Sequence, residues 1–131
     1  MPTPKRYWLT PPTIYDRLDR RFHFDFDPCP CPCPPEFNGI TVPWGSSTYC
    51  NPPFLKRDSL HGAGPTAFVR KAIAEHALGK TVVLLLPVPS YVCLLLEAGA
   101  KLSSEGRVRW LEVDSGKPMP SPTPIVCAVL E

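Results

Sequence analysis

The sequence has little net charge and no long apolar stretch, and these absences narrow the classes of protein it can belong to. The formal net charge at pH 7 is only +2, which is too small to indicate a nucleic-acid-binding protein by overall charge alone. Apolar runs such as Val82–Leu86 are far too short for a membrane-spanning helix. The residues after Met1 lack the apolar stretch of a secretory signal. We therefore expect a cytoplasmic protein in a reducing compartment, with no membrane partner.

The composition is that of a folded chain with an unusual amount of proline. The 131 residues are 44% hydrophobic and 20% charged, which fits one domain of ordinary size with a single core. Nineteen prolines are present, nearly three times the usual share of about 5%, and the absence of a repeat period excludes collagen. We expect a single domain spanning residues 1–131.

The distribution of charge is more informative than its sum. No Lys or Arg occurs between Asp25 and Pro53, whereas basic residues stand on both sides of this segment. An acidic centre with basic borders suits a small cationic ligand held beside a polyanion. Surface charges scattered by chance are the alternative interpretation.

The cysteines favour free thiols over disulfides. Six are present, at Cys29, Cys31, Cys33, Cys50, Cys93 and Cys127. The first three are separated by single prolines, which restricts pairing, and no secretion signal favours oxidation. Zinc ligation by these three is the alternative, but structural zinc sites usually space their ligands by two to four residues. We expect a rigid proline-rich loop and no metal.

Strand and helix patterns alternate along the chain and predict an α/β protein. Thr10 is expected to cap a helix whose apolar stripe includes Ile14, Leu18 and Phe22. The other predicted elements are strands at Phe22–Asp27, Thr48–Cys50, Thr81–Leu86, Arg107–Val113 and Ile125–Leu130, and helices at Thr66–Gly79 and Tyr91–Glu97. This alternation predicts a three-layer sheet, in which ligands bind at the carboxyl ends of strands.

A tetrapeptide at one of these strand ends carries the clearest chemistry. In Asn51-Pro52-Pro53-Phe54, a stiff backbone holds the Asn51 amide oxygen and the Pro52 carbonyl as two acceptors. They can accept both hydrogens of an exocyclic amine and draw its nitrogen toward tetrahedral geometry, while Phe54 stacks on the base. The electrophile that such an activated amine would attack is the methyl group of a sulfonium ion. A rigid turn after a strand is the alternative.

These residues resemble motif IV of the amino-methyltransferases that use S-adenosylmethionine, and the whole chain is similar to the phage-type DNA N6-adenine methyltransferase family. The resemblance runs from Trp8 to about Val129. It is carried by the following segments, in order: Trp8-Leu9-Thr10-Pro11, Asp27-Pro28-Cys29-Pro30, Asn38-Gly39-Ile40, Trp44-Gly45, Asn51-Pro52-Pro53-Phe54, Lys71-Ala72, Leu84-Leu85-Leu86-Pro87 and Gly106-Arg107-Val108-Arg109-Trp110. It implies a compact, truncated, Rossmann-like methyltransferase sheet, with S-adenosylmethionine as cofactor and DNA as partner.

The resemblance also implies roles for individual residues. Thr10 and Pro11 would hold the amino-acid end of the cofactor, Asp27 would face its positive end, and Asn38 and Gly39 would lie near the adenosine. The full set of expected cofactor residues is Trp8, Thr10, Pro11, Asp27, Pro28, Cys29, Asn38 and Gly39. The catalytic set is Asn51, Pro52, Pro53 and Phe54, and the DNA-contacting candidates are Lys56, Arg57, Arg107 and Arg109. As alternatives, Trp8 and Trp44 are core aromatics, Asp27 is a strand-end cap, and the basic residues are simply solvated.

Two departures from the family pattern bear on function. The glycine-rich turn that normally follows the first cofactor motif is replaced by Cys29 to Pro35, so close approach to the cofactor must arise differently. No separate target-recognition domain is expected, so sequence choice would come from loops, a second copy of the chain or a partner. Other acceptors remain open, namely cytosine N4, RNA or a protein glutamine. A non-catalytic relative that binds zinc or nucleic acid also remains open.

Overall fold

The computed structural model describes residues 8–30, 34–53, 62–87, 92–112, 115–120 and 124–131. Its elements, in chain order, are β1 (Trp8–Leu9), α1 (Pro12–Phe22), β2 (Ser47–Cys50), α2 (Pro65–His76), β3 (Thr81–Pro87), α3 (Val92–Glu97), β4 (Lys101–Gly106), β5 (Arg109–Glu112), β6 (Pro118–Pro120) and β7 (Ile125–Leu130). The expected α/β class is thus confirmed at the level of a mixed α/β fold. No described helix has the length and apolar character needed to cross a membrane.

A four-stranded mixed sheet forms the centre of the molecule, with strand order β2-β3-β7-β4. β2 and β3 are parallel, whereas β7 runs antiparallel to both β3 and β4. It follows that β2, β3 and β4 all point the same way and that their carboxyl ends meet at one edge. A smaller antiparallel sheet has the order β1-β5-β6.

Side chains of the central sheet alternate between two buried clusters, one on each face. Val82, Leu84 and Leu86 of β3 pack with α2 and α3 residues such as Val69 and Leu95. Val83 and Leu85 face the other way and pack with Leu18 of α1 and Trp110 of β5. All five β3 side chains are at most 1% exposed, and each contributes roughly 1.5–3 kcal/mol of hydrophobic stabilisation. Continuous apolar sequence is what a strand covered on both faces requires.

Helix α1 begins where expected but is capped differently. Pro11 occupies the N-cap position and Pro12 the first turn, with no side-chain cap, and the Pro11 carbonyl accepts the N–H groups of Ile14 and Tyr15. The expected cap by Thr10 is wrong because its hydroxyl bonds Tyr49 instead. Helix α2 begins at Pro65, one residue before the expected start at Thr66, and its N-cap residue is Gly64, with no side-chain cap.

The strand expected over Phe22–Asp27 is largely absent. Phe22 is the last residue of α1, and His23 ends the helix in the left-handed conformation with φ of 51°. Only Phe26 then pairs with β2, through an isolated parallel bridge to Thr48. Phe24 and Phe26 pack in opposite clusters, so the alternation of phenylalanines does not reflect one regular strand.

Candidate functional site

The chain segments after Phe26 and after β2 lie side by side at the carboxyl edge of the sheet. Phe26 bridges Thr48 in parallel, and the Tyr49 N–H donates to the Phe26 carbonyl at 3.0 Å. Asp27 directly follows Phe26, and Asn51 directly follows the last residue of β2. The structure therefore brings the expected cation-facing carboxylate and the expected amine-binding amide to the same edge.

Asn51 directly follows the buried end of β2. The last three residues of β2 are at most 4% exposed, while Asn51 and Pro53 are half-buried and Pro52 is buried. A half-buried amide directly after a buried strand is partly accessible to a ligand, as an acceptor for a planar amine must be. Three other expected contacts, Phe54, Lys56 and Arg57, lie outside the described residues.

Asp27 carries a perturbed carboxylate. Its Oδ1 accepts the Cys29 N–H at 2.8 Å, and the residue is exposed to solvent although protein atoms crowd around its carboxyl group. Burial raises the pKa of Asp27 to about 6, and the bond from Cys29 opposes part of the rise. At pH 7 the group is mainly ionised at a free-energy cost, which a bound cation would offset.

The two described cysteines at this edge remain thiols. Cys29 is half-buried and Cys50 fully buried. Burial, followed by the neighbouring Cys29 thiol and the Asp27 charge, raises the pKa of Cys50 well above its ordinary value. Among the described residues no three His, Cys, Asp or Glu side chains cluster as metal ligands. Cys31 and Cys33, which complete the alternative zinc set, lie outside them.

A pair of hydroxyls closes the edge on the α1 side. Thr10 and Tyr49 are joined by a hydrogen bond between their hydroxyl groups, and the Tyr15 ring stacks on Tyr49 with centroids 5.1 Å apart. Burial raises the pKa of Tyr49, the Thr10 bond lowers it in part, and the nearby charge of Asp27 raises it further. Neither tyrosine is among the site residues expected from the sequence, although Tyr49 stands only two residues before Asn51.

The expected adenosine-side residues pack directly against the Asp27 segment. The Asn38 side-chain oxygen accepts the Ile40 N–H at 3.0 Å and so builds a tight turn. Gly39 is buried, and a Cβ at this position would lie 2.0 Å from the Pro28 carbonyl oxygen. Its own carbonyl accepts the Trp44 indole N–H at 2.7 Å. The two sequence segments expected at the cofactor are thus in contact.

The other expected residues lie at the periphery. Arg107 is exposed and directly follows β4, at the edge that also carries Asn51. Arg109 is exposed on β5. Trp8 pairs with Glu112 through the β1 backbone, and its side chain lies outside the described part. Pro11 is half-buried at the start of α1.

Known proteins offer no direct guide to this edge. Comparison with protein-family models, with curated proteins and with solved structures finds no significant match to the chain. The interpretation of the site therefore depends on its residues and their geometry.

Proposed function

We propose that the protein is an S-adenosylmethionine-dependent DNA methyltransferase that transfers a methyl group to the N6 amine of adenine, within a truncated Rossmann-like domain. The observation that carries the proposal is the parallel pairing of Phe26 with Thr48. This pairing places the Asp27 carboxylate and the Asn51 amide at one edge, where open α/β sheets bind their ligands.

The residues present fit the cofactor. A solvent-accessible carboxylate with a raised pKa, close to the hydroxyls of Thr10 and Tyr49, is a suitable partner for a cationic ligand. When bound, S-adenosylmethionine supplies an electrophilic methyl group on sulfur. The close contact of Gly39 with Pro28 lets the Asn38 turn serve as a second wall of the same site.

The chain's own groups account for activation of the acceptor. The Asn51 side-chain oxygen and the Pro52 carbonyl accept the two amine hydrogens, which concentrates electron density on the nitrogen. With the cofactor bound, this nitrogen would take the methyl group as the carbon–sulfur bond breaks, and the methylated amine would then lose a proton to solvent. Most of the rate would come from the orientation of the amine that Asn51 and Pro52 impose. Access to a duplex requires that the adenine be flipped out of the helix.

The proposal is tested by transfer of labelled methyl to unmethylated duplex DNA, followed by digestion and identification of the modified nucleoside. Asn51→Ala should lower turnover by about 10²–10³-fold, because the lost acceptor acts mainly in the transition state. Its affinity for the cofactor and its thermal midpoint should stay close to those of the unaltered protein. Lys101→Ala is the control, since this exposed side chain lies at the opposite edge of the sheet.

N6-methyladenine formed by the unaltered protein and by Lys101→Ala, but not by Asn51→Ala, supports the proposal. Methylation of cytosine, RNA or protein glutamine instead would keep the chemistry and overturn the acceptor. Absence of cofactor binding would overturn the function as a whole and favour a non-catalytic role.

A further inference from the structure

A buried glutamate near the end of α2, Glu75, forms two ion pairs that were not expected from the sequence and that do not involve the tetrapeptide Asn51-Pro52-Pro53-Phe54. Glu75 is only 4% exposed, and it pairs with Lys71 at 2.8 Å and with Lys80 at 2.5 Å. Burial by itself would raise the pKa of Glu75, but hydrogen bonds from the two lysines and from a backbone N–H outweigh it and lower the pKa to about 2. Apolar residues of similar volume often stabilise a fold as well as a buried pair does, so the pair invites a further explanation.

The Glu75–Lys80 ion pair binds both polar groups of the Trp44 backbone, its N–H and its carbonyl. The Trp44 N–H donates to Glu75 Oε1 at 3.3 Å, and Lys80 Nζ donates to the Trp44 carbonyl at 2.7 Å. The Lys80 carbonyl is itself bound by His76 Nδ1 at 2.9 Å. Trp44 is thereby fixed to the end of α2 and to the start of β3.

The Trp44 side chain connects the Glu75–Lys80 ion pair to the candidate site. Its indole N–H donates to the Gly39 carbonyl at 2.7 Å, and Gly39 packs against Pro28 closely enough that no side chain fits between them. Pro28 stands between Asp27 and Cys29. A continuous series of contacts thus runs from the ion pair to the segment that bears the carboxylate.

We propose that Glu75 and Lys80 are positioning residues, which act through Trp44 to hold the Asn38–Gly39 wall against the Asp27 segment in the geometry that binds the cofactor. The inference rests on the proposed function and adds residues that touch neither the cofactor nor the acceptor. Because these residues act on the wall and not on Asn51, their loss weakens cofactor binding and leaves the methyl-transfer step nearly intact.

Lys71 and Lys80 provide a matched pair of variants. Their side chains are 21% and 23% exposed, and each forms one ion pair with Glu75. Only Lys80 also donates to the Trp44 carbonyl. Methionine keeps the apolar stem of lysine, so Lys71→Met and Lys80→Met each remove one ion pair with Glu75. Lys80→Met also removes a donor to the Trp44 carbonyl and should cost somewhat more stability. Trp44→Phe keeps an aromatic ring in the core, removes the indole donor to Gly39 and loses a small part of the buried volume.

The first readout is ligand affinity, measured as the dissociation constant for S-adenosylhomocysteine and as KM for S-adenosylmethionine. Lys80→Met and Trp44→Phe should raise both by at least about tenfold, with kcat at saturation changed less than twofold. Lys71→Met should leave both close to the values of the unaltered protein. All variants are measured well below their thermal midpoints, so that a difference in stability alone leaves both constants unchanged.

The second readout is hydrogen exchange in the protein without ligand. The N–H groups of Ile40 and Thr41 bond to Asn38 and report opening of this turn. They should exchange faster in Lys80→Met and Trp44→Phe than in Lys71→Met. Equal exchange and equal affinity in the two lysine variants would overturn the inference while leaving the proposed function intact. Failure of the unaltered protein to bind S-adenosylhomocysteine would overturn the proposed function and this inference together.

Discussion

Replacing Asp27 with Asn should change folding stability and cofactor affinity in opposite directions. Asn keeps a side-chain oxygen that can accept the Cys29 N–H at the position of Oδ1, so the local turn is retained while the charge is removed. The carboxylate is costly in the folded protein because burial raises its pKa from 3.8 to about 6. The same charge is what a sulfonium or ammonium group would bind.

The size of the stability effect follows from the pKa difference. Two pKa units correspond to about 3 kcal/mol, but Asp27 still meets solvent, so screening reduces the expected gain to about 1 kcal/mol. The folded pKa is raised, so ionisation destabilises the fold as pH rises from about 4 through about 6. The advantage of Asn over Asp should therefore be absent below pH 4, grow between pH 4 and 6 and stay constant above.

Urea unfolding at pH 4 and pH 8, together with calorimetric titration of S-adenosylmethionine, measures both effects. At pH 8 Asp27→Asn should be more stable and should bind the cofactor about tenfold more weakly, equivalent to about 1.4 kcal/mol. In the unaltered protein, affinity should fall as pH drops below about 6, and this dependence should disappear in the variant. A stability difference that is equal at pH 4 and 8, or an unchanged affinity at pH 8, would refute the reasoning.

Two further substitutions test the walls of the site. Gly39→Ala should destabilise the fold by roughly 2 kcal/mol or more, because its Cβ would lie 2.0 Å from the Pro28 carbonyl oxygen; an unchanged urea midpoint would contradict this packing. Tyr49→Phe should cost about 1 kcal/mol and weaken cofactor binding, since the Thr10 hydroxyl loses its partner. Tyr15→Phe is the control, because the ring that stacks on Tyr49 is retained. Equal effects of the two tyrosine variants on the thermal midpoint and on the cofactor dissociation constant would argue against a role for the Thr10–Tyr49 hydroxyl pair.

The sequence predicts the central strands well because burial on both faces leaves a clear apolar signature. Ile125–Leu130 is confirmed over its full length, and the strand expected at Thr81–Leu86 extends by one residue to Pro87. β4 was not predicted, since Lys101–Gly106 is mainly polar and half of its residues are exposed. It pairs with β7 at the end of the sheet order, and such a strand needs no continuous apolar run.

The candidate site is only partly predictable for a related reason. Asn51 follows a strand that the sequence predicts, and Asp27 follows Phe26, the residue of the expected Phe22–Asp27 strand that bridges Thr48. Glu75 gives no such signal, because a glutamate on an amphipathic helix is ordinarily solvent-exposed. Its partners Lys80 and Trp44 meet it only once α2 has packed against the sheet. Contacts of this kind depend on the fold and not on local pattern.

The glycine-rich turn that the family resemblance would lead one to expect after Asp27 is absent, and Gly39 provides a close backbone approach elsewhere. A turn glycine lets a backbone approach its ligand closely because it has no Cβ. Here the prolines around Cys29 leave no such residue in the segment after Asp27. The close approach occurs between segments instead, since Gly39 packs on the Pro28 carbonyl and is held there by the Trp44 indole. A side chain at position 39 would push the Asn38 turn away from Pro28. By our proposal, the Glu75–Lys80 pair maintains the same spacing because it fixes Trp44 behind this glycine.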